Sequence, residues 1–204
     1  MPDGVSARVD LRTSPTEPLA LLDRWLADAR EAGAPAPESV AFVTVGDGGR
    51  PTVRTVSLKR LEDRALVFTS ALWTRKAREI AVNPHVALLF HWPSLGRQVH
   101  IAGSAAIAER ALAEELFAER EPSHQMQTIV SRQGEPIEDL ARLRARHAHL
   151  MSAMEAPPAC PPDWGALRVS PEAVEFWSQG ADRMHDRLLY ERGDGGWSLT
   201  RLSP

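Results

Sequence analysis

The sequence predicts a mainly β fold, an antiparallel barrel or sandwich with peripheral helices, on three observations. Roughly eight short runs rich in Val, Ile, Phe, Thr and Trp recur along the chain. Most of them follow one another across short turn-forming segments, the order expected of hairpins. Helical periodicity is confined to a few stretches before and between them. With 204 residues, one domain with one substantial core is expected.

Residues 1–16 are polar, carry proline and glycine and show no periodic apolar face, so a flexible N-terminal arm is expected there and a single domain over 17–204. From Pro18 to Gly33 the apolar positions Leu19, Leu22, Trp25, Leu26 and Ala29 recur at helical spacing, and Gly33 with Pro35 ends the pattern. The period then changes. Residues 39–46 and 52–61 read as two strands joined by a turn at Asp47-Gly48-Gly49, and 65–70 as a third. A short helix over 74–84, stopped by Asn83-Pro84, precedes strands at 85–92 and 97–109. Residues 109–121 and 138–156 are helical in composition and period, and the proline-rich stretch 157–162 ends the second. Segments 166–179, 187–193 and 196–202 supply three or four closing strands.

Composition narrows the function classes. The net charge of −3 argues against nucleic acid as the main partner, because that binding is dominated by phosphate neutralisation and shows as a basic excess. The single cysteine, Cys160, has no intramolecular partner, and no Cys/His cluster has metal-ligand spacing. A cytoplasmic setting is expected, with no membrane span and no metal. Nucleophile-elbow, dinucleotide and P-loop glycine motifs do not occur.

Two clusters could carry chemistry. Between Arg54 and Lys76 six basic residues (Arg54, Lys59, Arg60, Arg64, Arg75, Lys76) face two acidic ones, Glu62 and Asp63. Thr69, Ser70 and Thr74 lie between a strand and a helix start that bears Arg75-Lys76, a plausible cradle for phosphate. The plain alternative is a solvated basic face. Strand alternation puts Arg54 on the opposite face from Lys59, so the two need not meet one group. The second cluster is Arg183, His185 and Arg187, which would share one face of a strand. Three neighbouring cations repel unless an anion or an electron-rich ring sits among them, or Asp182, Asp186 and Glu191 pair with them. The ladder Arg142, Arg144, Arg146, His147, His149 reads as a solvated helix face.

Several motifs in order carry a family resemblance: Arg54-Thr-Val-Ser-Leu-Lys59, Thr74-Arg75-Lys76, Gly96-Arg97-Gln98-Val99, Val130-Ser131-Arg132-Gln133, Glu175-Phe-Trp177, Arg183-Met-His185-Asp-Arg187, and Gly196-Trp197 with the terminal Arg201-Leu202-Ser203-Pro204. From about residue 17 onward the chain resembles the pyridoxamine 5′-phosphate oxidase family. The resemblance implies an FMN-binding split β-barrel, a likeness-based homodimer with FMN at the interface, and oxidation of a small-molecule substrate with molecular oxygen as acceptor, giving H2O2. Carried over by motif, the cofactor contacts would be Arg54, Lys59, Thr69, Ser70, Arg75, Lys76, Gln98, Gln133, Trp177 and Arg187. Arg183 and His185 would be the catalytic residues on the substrate side of the ring. The flavin carries the redox chemistry, so no protein nucleophile is needed.

The departures concern substrate. Where vitamin B6 oxidases hold the substrate phosphate with Lys, Tyr, Arg and Ser, the resemblance places Lys59, Leu116, Arg120 and His124, so half of that clamp differs. Gly134 stands where a flavin-contacting Ser is common. The stretch Ser123-His124-Gln125-Met126 is similar to the phenazine-biosynthesis oxidase branch, whose substrates are reduced tricyclic nitrogen heterocycles, although Lys59 is kept. The expectation is therefore oxidation of a dihydrophenazine-type substrate. The alternatives are a pyridoxine/pyridoxamine 5′-phosphate oxidase making pyridoxal 5′-phosphate, and a non-catalytic flavin- or haem-binding protein. Leu116→Tyr with His124→Ser is expected to improve turnover of the B6 phosphate.

Overall fold

A computed structural model describes residues 14–180 and 182–204. The arm expected over 1–16 lies outside the described residues except for its last three positions, where the Pro15 carbonyl accepts a hydrogen bond from the Tyr190 hydroxyl at 2.9 Å. The chain then runs α1 (Pro18–Glu31), β1 (Ser39–Val45), β2 (Pro51–Ser57), β3 (Arg60–Glu62), β4 (Ala65–Ala71), α2 (Arg75–Val82), β5 (His85–Trp92) and β6 (Arg97–Ile107). It continues with α3 (Arg110–Ala118), α4 (Pro122–Val130), α5 (Leu140–Ser152), β7 (Trp164–Ser178), β8 (Asp186–Gly193) and β9 (Gly196–Leu202). The fold is the mainly β split barrel with helices around it that the sequence predicts.

All nine strands join one antiparallel sheet in the order β2-β1-β5-β6-β7-β4-β3, with β8 and β9 continuing from β7. β7 organises the sheet. One edge pairs with β6 along its length; the other pairs with β4 through Trp164–Val169 and with β8 through Ala173–Ser178. The sheet divides where β7 changes partner, and the register against β6 shifts there, between Ala102 and Gly103. A Cβ on Gly103 would sit 2.2 Å from the Ser170 carbonyl oxygen, so only glycine allows this approach of two backbones.

The main core fills the concave side of the sheet. Alternation along β1 turns Val40, Phe42 and Thr44 inward, and the apolar stripe of α1 closes over them with Leu22, Trp25, Leu26 and Ala29. Trp25 meets Phe176 edge-on at 5.1 Å, and Phe176 meets Tyr190 in the same way at 5.8 Å. The run Ala65–Phe68 is buried without alternation because β4 has a core on each face. Phe68 enters the main core, while Val67 joins Leu112, Leu116, Phe117, Trp164 and Ala166 in a second one beneath α3.

The structure departs from the sequence reading at three places. The strand expected over 52–61 is two, β2 and β3. After Ser57 the chain leaves β1 for β4, with the Leu58 amide bonding Glu38 and the Lys59 amide bonding Val67. α4 was not expected, because its inner face includes a polar residue, Gln125, buried at 2% exposure and donating to the Phe117 carbonyl. Finally, Arg183 and His185 are not on a strand. β8 begins at Asp186, and Arg183 has φ +64, so the shared strand face expected for Arg183, His185 and Arg187 does not form.

Candidate functional site

A cleft of about 230 Å³ opens between β2, β4, the start of α2 and the α3–α4 region. Its lining includes Lys59, Thr69, Ser70, Lys76, Arg120 and Gln133, six of the residues singled out from the sequence. The floor is a hydroxyl network at the β4–α2 turn. Ser70 and Thr74 share a 2.9 Å hydrogen bond, and Thr74 also donates to the Ala71 carbonyl at 2.7 Å. Trp73 and Trp164 form aromatic walls. The Trp73 indole donates to the Gln133 carbonyl at 3.2 Å, and the Arg132 guanidinium lies 4.0 Å over its ring.

Among the described residues, the cleft lining that holds the three cations Lys59, Lys76 and Arg120 includes no carboxylate. Lys76 is 7% exposed, and among the described residues its ammonium donates one hydrogen bond, to the Thr74 hydroxyl at 3.4 Å. Burial, reinforced by the charge of Arg54, pulls its pKa from 10.5 down to about 8. Arg120 bonds the His124 carbonyl at 3.2 Å, but its Nε is buried with no partner among the described residues. Burial lowers its pKa too, and the pKa of the more open Lys59 falls through partial burial and the charge of Arg120. Cations desolvated in this way are costly without a counter-charge. Lys76 next to hydroxyls and Arg120 with an orphaned N–H are the donor set that an anionic ligand such as a phosphate would satisfy.

The remaining expected residues lie elsewhere. Arg54 adds no atom to the cleft lining, although its charge is felt at Lys76: one of its terminal nitrogens donates to the Phe42 carbonyl at 3.0 Å and the Thr44 hydroxyl at 2.6 Å, the other to Thr52 at 2.6 Å. Arg75, on the first turn of α2, pairs with Glu79 at 2.7 Å. Gln98 of β6, Trp177 of β7 and Arg187 of β8 form a row across three neighbouring strands. Arg187 is held there by Glu175 at 2.7 Å and by the Ser203 carbonyl at 3.1 Å. The His185 ring lies 4.7 Å from that of Trp177, and its Nδ1 accepts from the Gly180 amide at 3.2 Å. A Cβ on Gly180 would sit 2.1 Å from the Met184 carbonyl oxygen, so this close approach requires glycine. Arg183, exposed in that turn, takes a left-handed conformation that costs a non-glycine residue about 1 kcal/mol.

The row and the cleft are at opposite ends of β7. Thr69 faces Ala166 and Ser70 faces Gly165, whereas Trp177 lies near the far end of the strand. From Ala166 to Trp177 the strand path is about 35 Å at roughly 3.2 Å per residue. The cleft and the row thus lie apart along β7 of one chain.

Of the substrate-side positions, Arg120 lines the cleft, His124 is exposed on α4, and Leu116 is 4% exposed within the second core. Leu116→Tyr is accordingly expected to destabilise the fold by about 1–3 kcal/mol through overpacking, measured by urea unfolding. The sequence reading missed Trp73, Gln127, Thr128 and Ser131, which also line the cleft. Trp73 and the group Gln127, Thr128 and Ser131 come from segments far apart in the chain, so no local pattern brings them together, whereas the Arg75–Glu79 spacing is a helical i,i+4 pair.

Among the described residues no metal-binding cluster occurs, and no helix is long and apolar enough to cross a membrane. Residues 26–151 match the family profile described as pyridoxamine 5′-phosphate oxidase, and 164–204 match the pyridoxine 5′-phosphate oxidase C-terminal dimerisation region. The chain is 41% identical over 189 residues to the pyridoxine/pyridoxamine 5′-phosphate oxidase of Rubrobacter xylanophilus, spanning 92% of this chain and 87% of that protein. It is 38% identical to the protein of the same name from Gluconobacter oxydans, over 96% of this chain and 97% of that one. The crystal structure of PhzG from Burkholderia lata 383 in complex with tetrahydrophenazine-1-carboxylic acid matches with TM-score 0.89 at 32% identity, covering 95% of both chains. A pyridoxamine 5′-phosphate oxidase-related, FMN-binding protein from Nostoc punctiforme shares the fold, with TM-score 0.74 at 20% identity over 91% of this chain and 96% of that one.

Proposed function

Because the chain belongs to the pyridoxamine 5′-phosphate oxidase family, we propose that it passes electrons from a reduced nitrogen heterocycle bearing an anionic group to O2, giving H2O2. It is an FMN-dependent oxidoreductase of that family, and the reading as a non-catalytic binding protein is not retained. The observation that carries the proposal is that Lys59, Lys76 and Arg120 line one cleft whose described lining holds no carboxylate, with Arg120 Nε buried and unbonded among the described residues.

When bound, FMN supplies the redox chemistry: two electrons and two protons leave the substrate and reduce O2 to H2O2. The chain's task is binding and orientation. Lys76, Ser70 and Thr69, with Gln133 and the charges of Arg54 and Arg75, would hold the flavin's phosphate side. Gln98, Trp177 and Arg187 would complete the site from a second copy of the chain, since one chain keeps the two half-sites at opposite ends of β7. The match of 164–204 to a dimerisation region supports this homodimer. His185 accepts at Nδ1 from the Gly180 amide, so Nε2 is the ring nitrogen that would orient a substrate heteroatom. Arg183 beside it would draw an electron-rich ring or carboxylate. Lys59 and Arg120 would take the substrate's anionic group.

We favour a reduced phenazine-type substrate. Leu116 and His124 bring no donor into the cleft, and the bound molecule in the PhzG structure is of that class. The second reading, a B6 5′-phosphate, has the names of the curated relatives and the Lys59–Arg120 pair on its side. H2O2 release would be followed with tetrahydrophenazine-1-carboxylate and with pyridoxine 5′-phosphate. The expected kcat/KM is at least about tenfold higher for the former, and the reverse order selects the B6 reading. His185→Ala is expected to lower kcat by roughly a hundredfold while leaving FMN content unchanged.

A further inference from the structure

The most heavily bonded carboxylate near the cleft belongs to a residue with no role in the proposal above. Glu79, on α2, is buried at 8% exposure between that helix and the β1–β2 hairpin. Its Oε2 accepts from the Thr44 hydroxyl at 2.5 Å and the Thr52 hydroxyl at 2.6 Å; its Oε1 accepts from Arg75 Nε at 2.7 Å. The two threonines face each other across β1 and β2, and the same two oxygens accept from Arg54 at 2.6 Å each. Arg54 also approaches Glu79 directly at 3.5 Å. Two hydroxyls thus relay one carboxylate to one guanidinium. Four of the five N–H donors of Arg54 are used in this network, which leaves Nε–H and the charge itself for a ligand.

We propose that Glu79 is a positioning residue: by bridging Arg75 on α2 and Arg54 on β2 it sets the helix start that bears Lys76 against the hairpin, so that the three cations act together on the phosphate end of FMN. The proposal rests on the FMN reading of the cleft. Without the bridge Arg54, Arg75 and Lys76 repel one another and α2 loses its buried polar anchor to the β1–β2 hairpin. Consistent with a carboxylate that must stay charged, burial opposes ionisation but the bonds from Thr44, Thr52 and Arg75 outweigh it, holding the Glu79 pKa at about 2.

FMN and riboflavin differ only in the phosphate, so the ratio of their affinities isolates this role from general damage to the fold. Flavin-stripped wild type, Glu79→Gln and Thr52→Val would be titrated with each by fluorescence quenching. Thr52→Val removes one arm of the relay without changing charge, and it carries the test if Glu79→Gln does not fold. The expected result is FMN binding about tenfold weaker in both variants with riboflavin binding within about twofold of wild type. The proposal is overturned if both variants keep the wild-type FMN/riboflavin ratio, or lose both flavins equally, as a purely structural residue would. It is equally overturned if Glu79→Gln binds FMN more tightly, as a merely repelling carboxylate would. A wild type that does not prefer FMN to riboflavin would instead remove the phosphate reading of the cleft, and this proposal with it.

Discussion

Lys76→Met is expected to cost the protein its FMN while making the empty chain more stable. Lys76 is desolvated at 7% exposure, its one hydrogen bond among the described residues is a long one to Thr74, and its pKa is lowered from 10.5 to about 8. At about 1.36 kcal/mol per pKa unit, keeping that ammonium buried opposes folding of the flavin-free chain by on the order of 3 kcal/mol at neutral pH. The sign follows from proton counting. Between about pH 8 and 10.5 the unfolded chain holds a proton on this lysine that the folded chain has lost, so stability rises with pH across that window. Below about pH 8 both forms are protonated and the penalty is complete. Urea unfolding of flavin-free protein should therefore show wild type gaining on Lys76→Met between pH 7 and pH 10. A bound phosphate restores the missing counter-charge, so the same substitution should weaken FMN binding by roughly ten- to a hundredfold. Wild-type affinity should also fall above about pH 8 as Lys76 deprotonates. A variant that is less stable than wild type at pH 7, or that retains FMN, would show that this ammonium is not waiting for an anion. Groups that oppose folding and serve binding are a common exchange at functional sites.

A heterodimer carrying Lys76→Met in one copy and Arg187→Ala in the other is expected to recover about half of wild-type activity at an FMN concentration that leaves each mutant homodimer largely empty and inactive. The cleft with Lys76 adjoins the Trp164 end of β7, and the row of Gln98, Trp177 and Arg187 adjoins its Ser178 end. If each site takes one half from each copy, a two-fold symmetric pairing makes one site of the heterodimer doubly defective and the other fully intact. If each site were built within one chain, both would carry a single lesion and the heterodimer would stay inactive. Two affinity tags allow the mixed species to be isolated, and bound FMN per dimer provides a second readout, expected near one. Arg187 is paired with Glu175, so Arg187→Ala strands a half-buried carboxylate. Arg187→Lys, which keeps the charge but not the fork to Glu175 and Ser203, separates loss of charge from loss of geometry.

Much of the candidate site was legible because its residues come in short local motifs. Thr69, Ser70 and Lys76 sit within one strand–turn–helix passage, and local chain geometry alone brings them to one place. Gln98, Trp177 and Arg187 could be named but not located, because their adjacency depends on the pairing of β6, β7 and β8. Leu116 shows the opposite failure. Its helical period fits a buried position equally well, and packing beneath α3 uses it as core. Arg54 could be assigned to the face opposite Lys59, but nothing local indicated that Thr44 and Glu79 would meet it there.

The order and type of most elements are legible in the residues alone, since strand alternation, helical period and the glycine and proline stops are properties of neighbours along the chain. So is the set of side chains chemically able to bind a phosphate and a flat ring. How those groups combine is set by long-range packing. The move of the chain from β1 to β4 after Ser57, the two partners of β7, and the burial of Lys76 and Glu79 all depend on contacts between segments far apart in the chain. Pattern encodes which face of an element is apolar; the energy of bringing two faces or two charges together exists only once the long-range pairing is made.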